Sequence, residues 1–412
     1  EGTILDPFAG SATTLIQAML HNYPAIGIEL LPNCHLAWQA KSNAFEYDIH
    51  ELENVKHILA TEKPPAHDSK FPHINITQSA FSPTTEKEIV DYVLWFDKLN
   101  IQETTKTVLR ALLMSILESV SYTRKDGQYL RWDVRAEKIV ERNQKRVEQG
   151  KKPFKGIHKG TLPSVQDALV SKLGTVIRDI QELKAQEGPQ LGKQQLLKGN
   201  TLFILPTLET NSINTVITSP PYANRYDYTR TYALELAFLG IEDEIFSLRQ
   251  ELLSCTVESK SKVEELREFY QTDELVERYQ QTMQFVENCA VLKEVNMALH
   301  TRDTRGEINN QGILSMIDQY FLELSFVFME LFRVCKPGAK VAFVNDNVRY
   351  AGEVIPVDTI STYLAQSFGF EPKTIYVIPQ RKGNSSQQMK RFGRRELRKS
   401  ITIWQKPFQD TI

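Results

Sequence analysis

Residues 3–20, TILDPFAGSATTLIQAML, pass from a short apolar run through a turn of small residues into an amphipathic helical stretch, and a second apolar run, AIGIEL, starts at Ala25. Two strands joined through a helix read as parallel neighbours in one sheet, since antiparallel neighbours need only a short turn between them. The same texture returns at QLLKGN and INTVITSPPY. It returns again where YFLELSFVFMELFRVCKPGAKVAFVNDN runs from helix through a Lys-Pro-Gly turn into an apolar stretch. The last strand candidates, TIYVIPQ and SITIWQ, flank a polar basic loop and read as an antiparallel edge pair. The fold class is therefore α/β: an open, mostly parallel sheet with an antiparallel edge hairpin, carrying large helical insertions.

Those insertions are charged blocks of helical period, such as EKEIVDYVLWFDKL and TKTVLRALLMSILESV. At 412 residues the chain is expected to form two units, or one domain with a large insertion. We assign residues 1–45, 195–235 and 315–412 to the sheet domain, 46–194 to a first helical insertion and 236–314 to a second. The chain opens at Glu1 and reaches a strand-like run by Thr3, so an N-terminal segment is expected to be missing.

No signal peptide or membrane span is read from the sequence, because the most apolar stretch, FLELSFVFMELF, is interrupted by glutamates at helical spacing. Cys34, Cys255, Cys289 and Cys335 lie far apart without Cys-x-x-Cys spacing, which excludes an obvious zinc site and suggests a reducing compartment. Neither a metal nor a membrane partner is expected. The net charge of −2 conceals a partition. Residues 124–159 hold 12 Lys/Arg against 5 Asp/Glu, and residues 381–399 hold 8 against Glu396 alone, a balance of +7 in each. Residues 242–294 hold 13 acidic against 6 basic residues. Two basic blocks in a nearly neutral chain point to a polyanionic partner, against the plainer reading of solvated helix faces.

In DPFAGSATT, Gly10 can bring backbone close to a ligand, and the helix that follows presents free N–H groups. A phosphate loop would carry a second glycine and Gly-Lys-Ser/Thr; both are absent, so a nucleoside triphosphate is not expected. Glu29 ends the second strand 19 residues after Gly10, near the spacing at which dinucleotide-type folds place an acid on ribose hydroxyls. In TSPPY, two consecutive prolines fix two φ angles and remove two backbone donors, leaving a stiff segment with open carbonyls. Taken alone, Ser-Pro-Pro-Tyr also reads as a tight turn at a strand end.

DPFAGSATT, GIEL and TSPPY together resemble the amino-group DNA methyltransferases of bacterial restriction–modification systems, over roughly residues 3–45, 195–235 and 315–405. The resemblance implies a Rossmann-like methyltransferase sheet and S-adenosylmethionine as cofactor. The methionine end of the cofactor would lie on Asp6, Phe8, Ala9, Gly10, Ser11 and Thr13, its ribose on Glu29 and its adenine near Asn200. Three departures stand out. Ala12 occupies a position usually held by glycine, adding a methyl close to the cofactor, and Asn200 replaces the usual aspartate. The helix that normally precedes the first strand is absent.

The same resemblance makes Ser219, Pro220, Pro221 and Tyr222 a catalytic clamp. The Ser219 hydroxyl and the Pro220 carbonyl would accept the two amino hydrogens of a flipped base, with Tyr222 stacked against it. A C5-cytosine enzyme would need a cysteine after proline, and no Pro-Cys occurs. A leading serine goes mostly with cytosine N4 in this family and a leading aspartate with adenine N6. N4-cytosine is therefore favoured, with N6-adenine, or a catalytically dead DNA-binding subunit, as alternatives. Asn224, Arg225, Tyr226, Asp227 and Tyr228 would form the loop around the base. Arg124, Lys125 and Arg131 in SYTRKDGQYLRW, and Arg391, Arg394 and Arg395 in QRKGNSSQQMKRFGRR, are the candidate DNA contacts, together with Lys145, Arg146, Lys151 and Lys152. The expected partners are double-stranded DNA and a cognate restriction endonuclease, in a bacterial cytoplasm.

Overall fold

A computed structural model describes residues 2–126, 130–185, 192–379, 389–393 and 395–408. Its central element is a seven-stranded sheet of β1 (Ile4–Asp6), β2 (Ala25–Glu29), β3 (Gln194–Lys198), β4 (Ile213–Thr218), β5 (Cys335–Asp346), β6 (Glu371–Ile378) and β7 (Lys399–Gln405). The strand order is β3-β2-β1-β4-β5-β7-β6. Pairing is parallel from β3 through β5, and β7 joins β5 antiparallel, as does β6 to β7. The fold class read from the sequence is the one observed.

The chain packs as two compact units: Glu1–Leu31, Pro189–Tyr226 and Gln250–Ile412 form unit 1, and Pro32–Gly188 and Asp227–Arg249 form unit 2. Unit 1 holds the sheet. Strict alternation along β7 buries Ser400, Thr402 and Trp404. Trp404 stacks on Phe343 of β5 at 5.1 Å and meets the edge of Phe328 at the same distance. Phe328 belongs to Gly312–Val334, the one described helix long and apolar enough to cross a membrane. That helix is a core element here. Its glutamates, which broke the apolar run in the sequence, are buried and paired: Glu323 with Lys262 at 3.0 Å, and Glu330 with Arg278 at 3.0 Å and Arg333 at 2.5 Å. Removing one partner of such a pair would strand a buried charge, a loss of about 3–5 kcal/mol. Helices Asp273–Asn288 and Ala290–Thr304, from the acidic stretch, pack on the same helix within unit 1.

Unit 2 is helical apart from the short hairpin Thr123–Lys125/Leu130–Trp132. Helix Glu103–Val120 is its axis, buried along Leu109, Leu112, Leu113 and Leu117 against the helices Pro83–Lys98 and Val165–Ala185.

Candidate active site

β1 and β4 are parallel neighbours, but the chain leaves β1 toward β2 on one side while β4 lies on the other. The crevice beyond their carboxyl ends is the switch point of the sheet, where open α/β folds bind ligands. Both motifs singled out in the sequence leave the sheet at this edge.

The β1 exit turns sharply through Gly10, at φ +53°, and Ala12, at φ +61°. The Gly10 N–H donates to Glu29 Oε2 at 2.7 Å, and the Leu31 N–H donates to Oε1 at 2.8 Å, so the acid at the end of β2 anchors the turn. Burial holds the Glu29 carboxyl above its ordinary range; the N–H groups of Leu31 and Gly10 oppose this, and the nearby Asp6 adds to it. The turn packs tightly over β2, because a Cβ placed on Gly27 would lie 2.9 Å from that of Ala9. A Cβ on Gly10 would meet nothing within 4 Å, so the turn opens onto free space. Ser11 and Thr13 are exposed at this rim, Phe8 is half-buried and Ala9 is buried.

Ala12 differs from the sequence expectation. Its methyl is 0% exposed, enclosed by protein and turned away from any open surface. What it costs is backbone strain, about 1–2 kcal/mol for an L-residue in the left-handed region relative to glycine.

Asp6, only 5% exposed, is a junction. Its Oδ2 accepts from the Thr14 hydroxyl at 2.7 Å, and its Oδ1 accepts from the Thr218 hydroxyl at 2.8 Å and the Phe8 N–H at 3.2 Å. Burial raises the Asp6 pKa despite the two threonine hydroxyls. The last residue of β4 is thus tied through Asp6 to the first helix after β1. Asn200 follows β3, and its Oδ1 caps the short helix Thr201–Ile204 by accepting from the Leu202 N–H at 3.0 Å. Its Nδ2 is buried and has no hydrogen-bond partner among the described residues.

The β4 exit is arranged otherwise. Ser219 is exposed, Pro220 is buried and Tyr222 is half-buried. The Ser219 Oγ and the Tyr222 hydroxyl lie 3.0 Å apart. Beyond them, the Asn224 N–H donates to the Tyr222 carbonyl at 2.7 Å, and Arg225 turns at φ +65°. The Tyr350 hydroxyl donates to the Ala223 carbonyl at 2.6 Å, and the Cys255 thiol donates to the Tyr226 carbonyl at 3.4 Å. This segment of unit 1 ends at Tyr226. In unit 2, Asp227 caps the helix Tyr228–Thr231 and pairs with Arg230 at 3.1 Å and Arg249 at 3.0 Å.

The chain matches curated relatives along nearly its whole length. It is 52% identical over 407 residues to the Type II methyltransferase M.BsoBI of Geobacillus stearothermophilus, covering 98% of this chain and 80% of that protein. It is 38% identical over 413 residues, with the same coverage, to the Type II methyltransferase M.AvaI of Nostoc sp. and that of Anabaena variabilis. The chain belongs to the Type II methyltransferase family. Its class of activity is DNA methylation within a restriction–modification system. No family model and no solved structure matches it.

Several residues at the site of this Type II methyltransferase escaped the sequence reading. Thr14 lies inside a quoted motif and Thr218 directly precedes Ser-Pro-Pro-Tyr, but nothing in their spacing ties either to Asp6. Tyr350 and Cys255 are distant in the chain and left no local signal. The candidate DNA contacts divide. Lys125 pairs with Glu235 and lies over the Tyr232 ring at 4.7 Å, and Arg131 pairs with Asp126 at 2.5 Å. Arg124 is exposed and makes no ion pair among the described residues. Lys145, Lys151 and Lys152 are exposed, whereas the Arg146 Nε donates to the Lys152 carbonyl at 2.9 Å. Arg391 pairs with Glu307 at 2.8 Å, Arg395 is exposed, and Arg394 lies outside the described residues.

Proposed function

We propose that this enzyme moves a methyl group from S-adenosylmethionine to the exocyclic N4 of cytosine in a specific duplex sequence, with the target base flipped onto Tyr222. The observation that carries the reading is the Ser219–Tyr222 hydroxyl pair on a proline-stiffened exit from β4, next to the glycine turn that leaves β1.

The residues around that turn fit the cofactor. The free space over Gly10 admits a ligand against backbone, Glu29 offers a carboxylate to ribose hydroxyls, and the buried Asn200 Nδ2 is a donor in want of an acceptor, which an adenine ring nitrogen supplies. With its amide oxygen already capping a helix, donation is the better-supported role for Asn200. Bound there, S-adenosylmethionine supplies a methyl on a positively charged sulfur.

The cytosine amino nitrogen is a poor nucleophile, since its lone pair is delocalised into the ring. Ser219 Oγ and the Pro220 carbonyl, accepting its two hydrogens, draw it toward tetrahedral geometry and stabilise the positive charge that develops on nitrogen. When Ser219 donates its own proton to Tyr222, both of its lone pairs remain for the amino group. Ring stacking on Tyr222 contributes roughly 1–3 kcal/mol to holding the flipped base. Asp6 is better read as a brace than as a ligand contact, because it is buried with three protein donors on its carboxylate, whereas Glu29 is half-buried. Of the two departures that favour a catalytically dead scaffold, Ala12 and the missing front helix, the enclosed methyl of Ala12 weakens the first.

We further assign target recognition to the helical insertion of residues 46–194, with Arg124, Lys145, Lys151 and Lys152 among its exposed cations. A cognate restriction endonuclease would be the partner whose cutting the modification blocks. The test is nucleoside mass spectrometry of unmodified plasmid DNA incubated with the protein and S-adenosylmethionine. N4-methylcytosine is the expected product; N6-methyladenine would move the target to adenine, and no methylated base would overturn the reading.

A further inference from the structure

Of the basic residues near the carboxyl-terminal hairpin, two are already neutralised: Arg391 by Glu307 at 2.8 Å and Arg398 by Asp358 at 2.7 Å. Lys399, the next residue along, makes no ion pair among the described residues. Its ammonium instead lies over the ring of Tyr222, 5.4 Å from the centroid. Lys399 opens β7 and stands opposite Asp346, the last residue of β5, so it is fixed at the same sheet edge as the exit of β4.

We propose that Lys399 is a phosphate anchor, binding the phosphodiester of the nucleotide whose base lies on Tyr222. The inference rests on the reading of Tyr222 as the base platform. Three observations favour phosphate over a part in the chemistry. A cation aimed at the amino nitrogen would oppose the positive charge that grows there during methyl transfer, so Lys399 does not serve to activate the base. A lysine over one face of Tyr222 would leave stacking to the opposite face and would bring its charge within reach of the phosphodiester of a nucleotide stacked there. An ammonium set on a strand end and half-exposed can exchange its weak ring contact for a charged acceptor, the exchange expected of a phosphate-binding lysine.

The experiment compares the parent with Lys399→Met and Lys399→Arg in methylation of unmodified plasmid DNA at increasing NaCl, with cofactor affinity measured by calorimetry. Lys399→Met should raise KM for DNA on the order of tenfold, the loss expected for one charged contact. Its plot of log affinity against log salt should be shallower by about 0.9, and Lys399→Arg should restore the slope. Cofactor affinity equal to the parent's in Lys399→Met will show that the fold is intact. If KM and slope stay at parent values, whether or not kcat falls, Lys399 touches no phosphate and the inference is overturned. Failure of the underlying reading looks different: Tyr222→Ala would then methylate DNA at the parent rate, whatever Lys399 does.

Discussion

At the exit of β1 the carboxylates turn inward: Asp6 accepts from Thr14, Thr218 and Phe8, and Glu29 accepts from Gly10 and Leu31. At the exit of β4, one strand away, stiffness comes from Pro220 and Pro221, and Ser219 stands exposed with Tyr222 as hydroxyl partner. Under the proposed function, the contrast follows from what each loop would hold. A turn that grips a ligand mainly through backbone needs that backbone fixed from behind, and buried carboxylates with several donors do so. A loop that must present side-chain and carbonyl oxygens to a substrate cannot spend them on itself, so its rigidity has to come from covalent restraint. The Thr218–Asp6 hydrogen bond joins the two plans, since the residue before Ser219 is held by the acid that braces the β1 turn.

Substitutions can break this contrast from either side. The largest effect is expected on the outward-facing loop: Ser219→Ala should lower kcat by about 100-fold or more, since one pre-organised polar contact to the reacting group is lost. Cofactor affinity measured by calorimetry should hold. A Ser219→Ala enzyme with parent turnover would remove the clamp from the mechanism.

Glu29→Gln tests the inward-facing loop. It should weaken cofactor binding by about 10- to 100-fold, the equivalent of roughly 1.5–3 kcal/mol for a hydrogen-bonded charge. Because burial holds the Glu29 carboxyl above its usual range, it takes up a proton at a higher pH than an exposed glutamate does. Cofactor affinity should therefore decline as pH falls through that raised value, and Glu29→Gln should flatten the profile. The linked stability has the opposite direction. The folded state favours protonated Glu29, so this group's contribution is fully present below its unfolded pKa and is lost as pH rises through the folded one.

The link between the loops is addressed by Thr218→Val, which leaves Asp6 Oδ1 with the Phe8 N–H at 3.2 Å. Under-satisfying a buried acceptor costs about 1–3 kcal/mol. We expect that loss in denaturant unfolding, with a fall in kcat that exceeds any change in either KM; Thr218→Ser should restore both. Equal loss of kcat in Thr218→Val and Thr218→Ser would show that the hydroxyl carries no positioning role. The smallest effect is expected from Ala12→Gly, a gain of about 1 kcal/mol or less, since relief of the left-handed backbone is partly offset by greater freedom of glycine in the unfolded chain. Destabilisation by this change, read from thermal unfolding, would mean that the enclosed methyl contributes more to packing than the backbone loses.

The local pattern of the sequence determined the strands, their parallel connection and the antiparallel edge pair. Apolar runs, a Lys-Pro-Gly turn and small-residue turns are properties of neighbouring residues, and helices between strands leave few ways to order a sheet. It also marked DPFAGS, Glu29 and Ser-Pro-Pro-Tyr, because each motif needs particular residue types at short spacing. What only the tertiary structure decided are the contacts between distant segments. Asp6 meets Thr218 across 212 positions, Tyr350 reaches Ala223 across 127, and Lys125 pairs with Glu235 across 110. No local pattern records such partners, since a hydrogen bond between adjacent strands constrains each residue only through the register of the sheet. The burial of Ala12 is of the same kind: its left-handed backbone was hidden in an alanine, and the packing around it turned an expected obstacle in the cofactor site into a strained but enclosed turn.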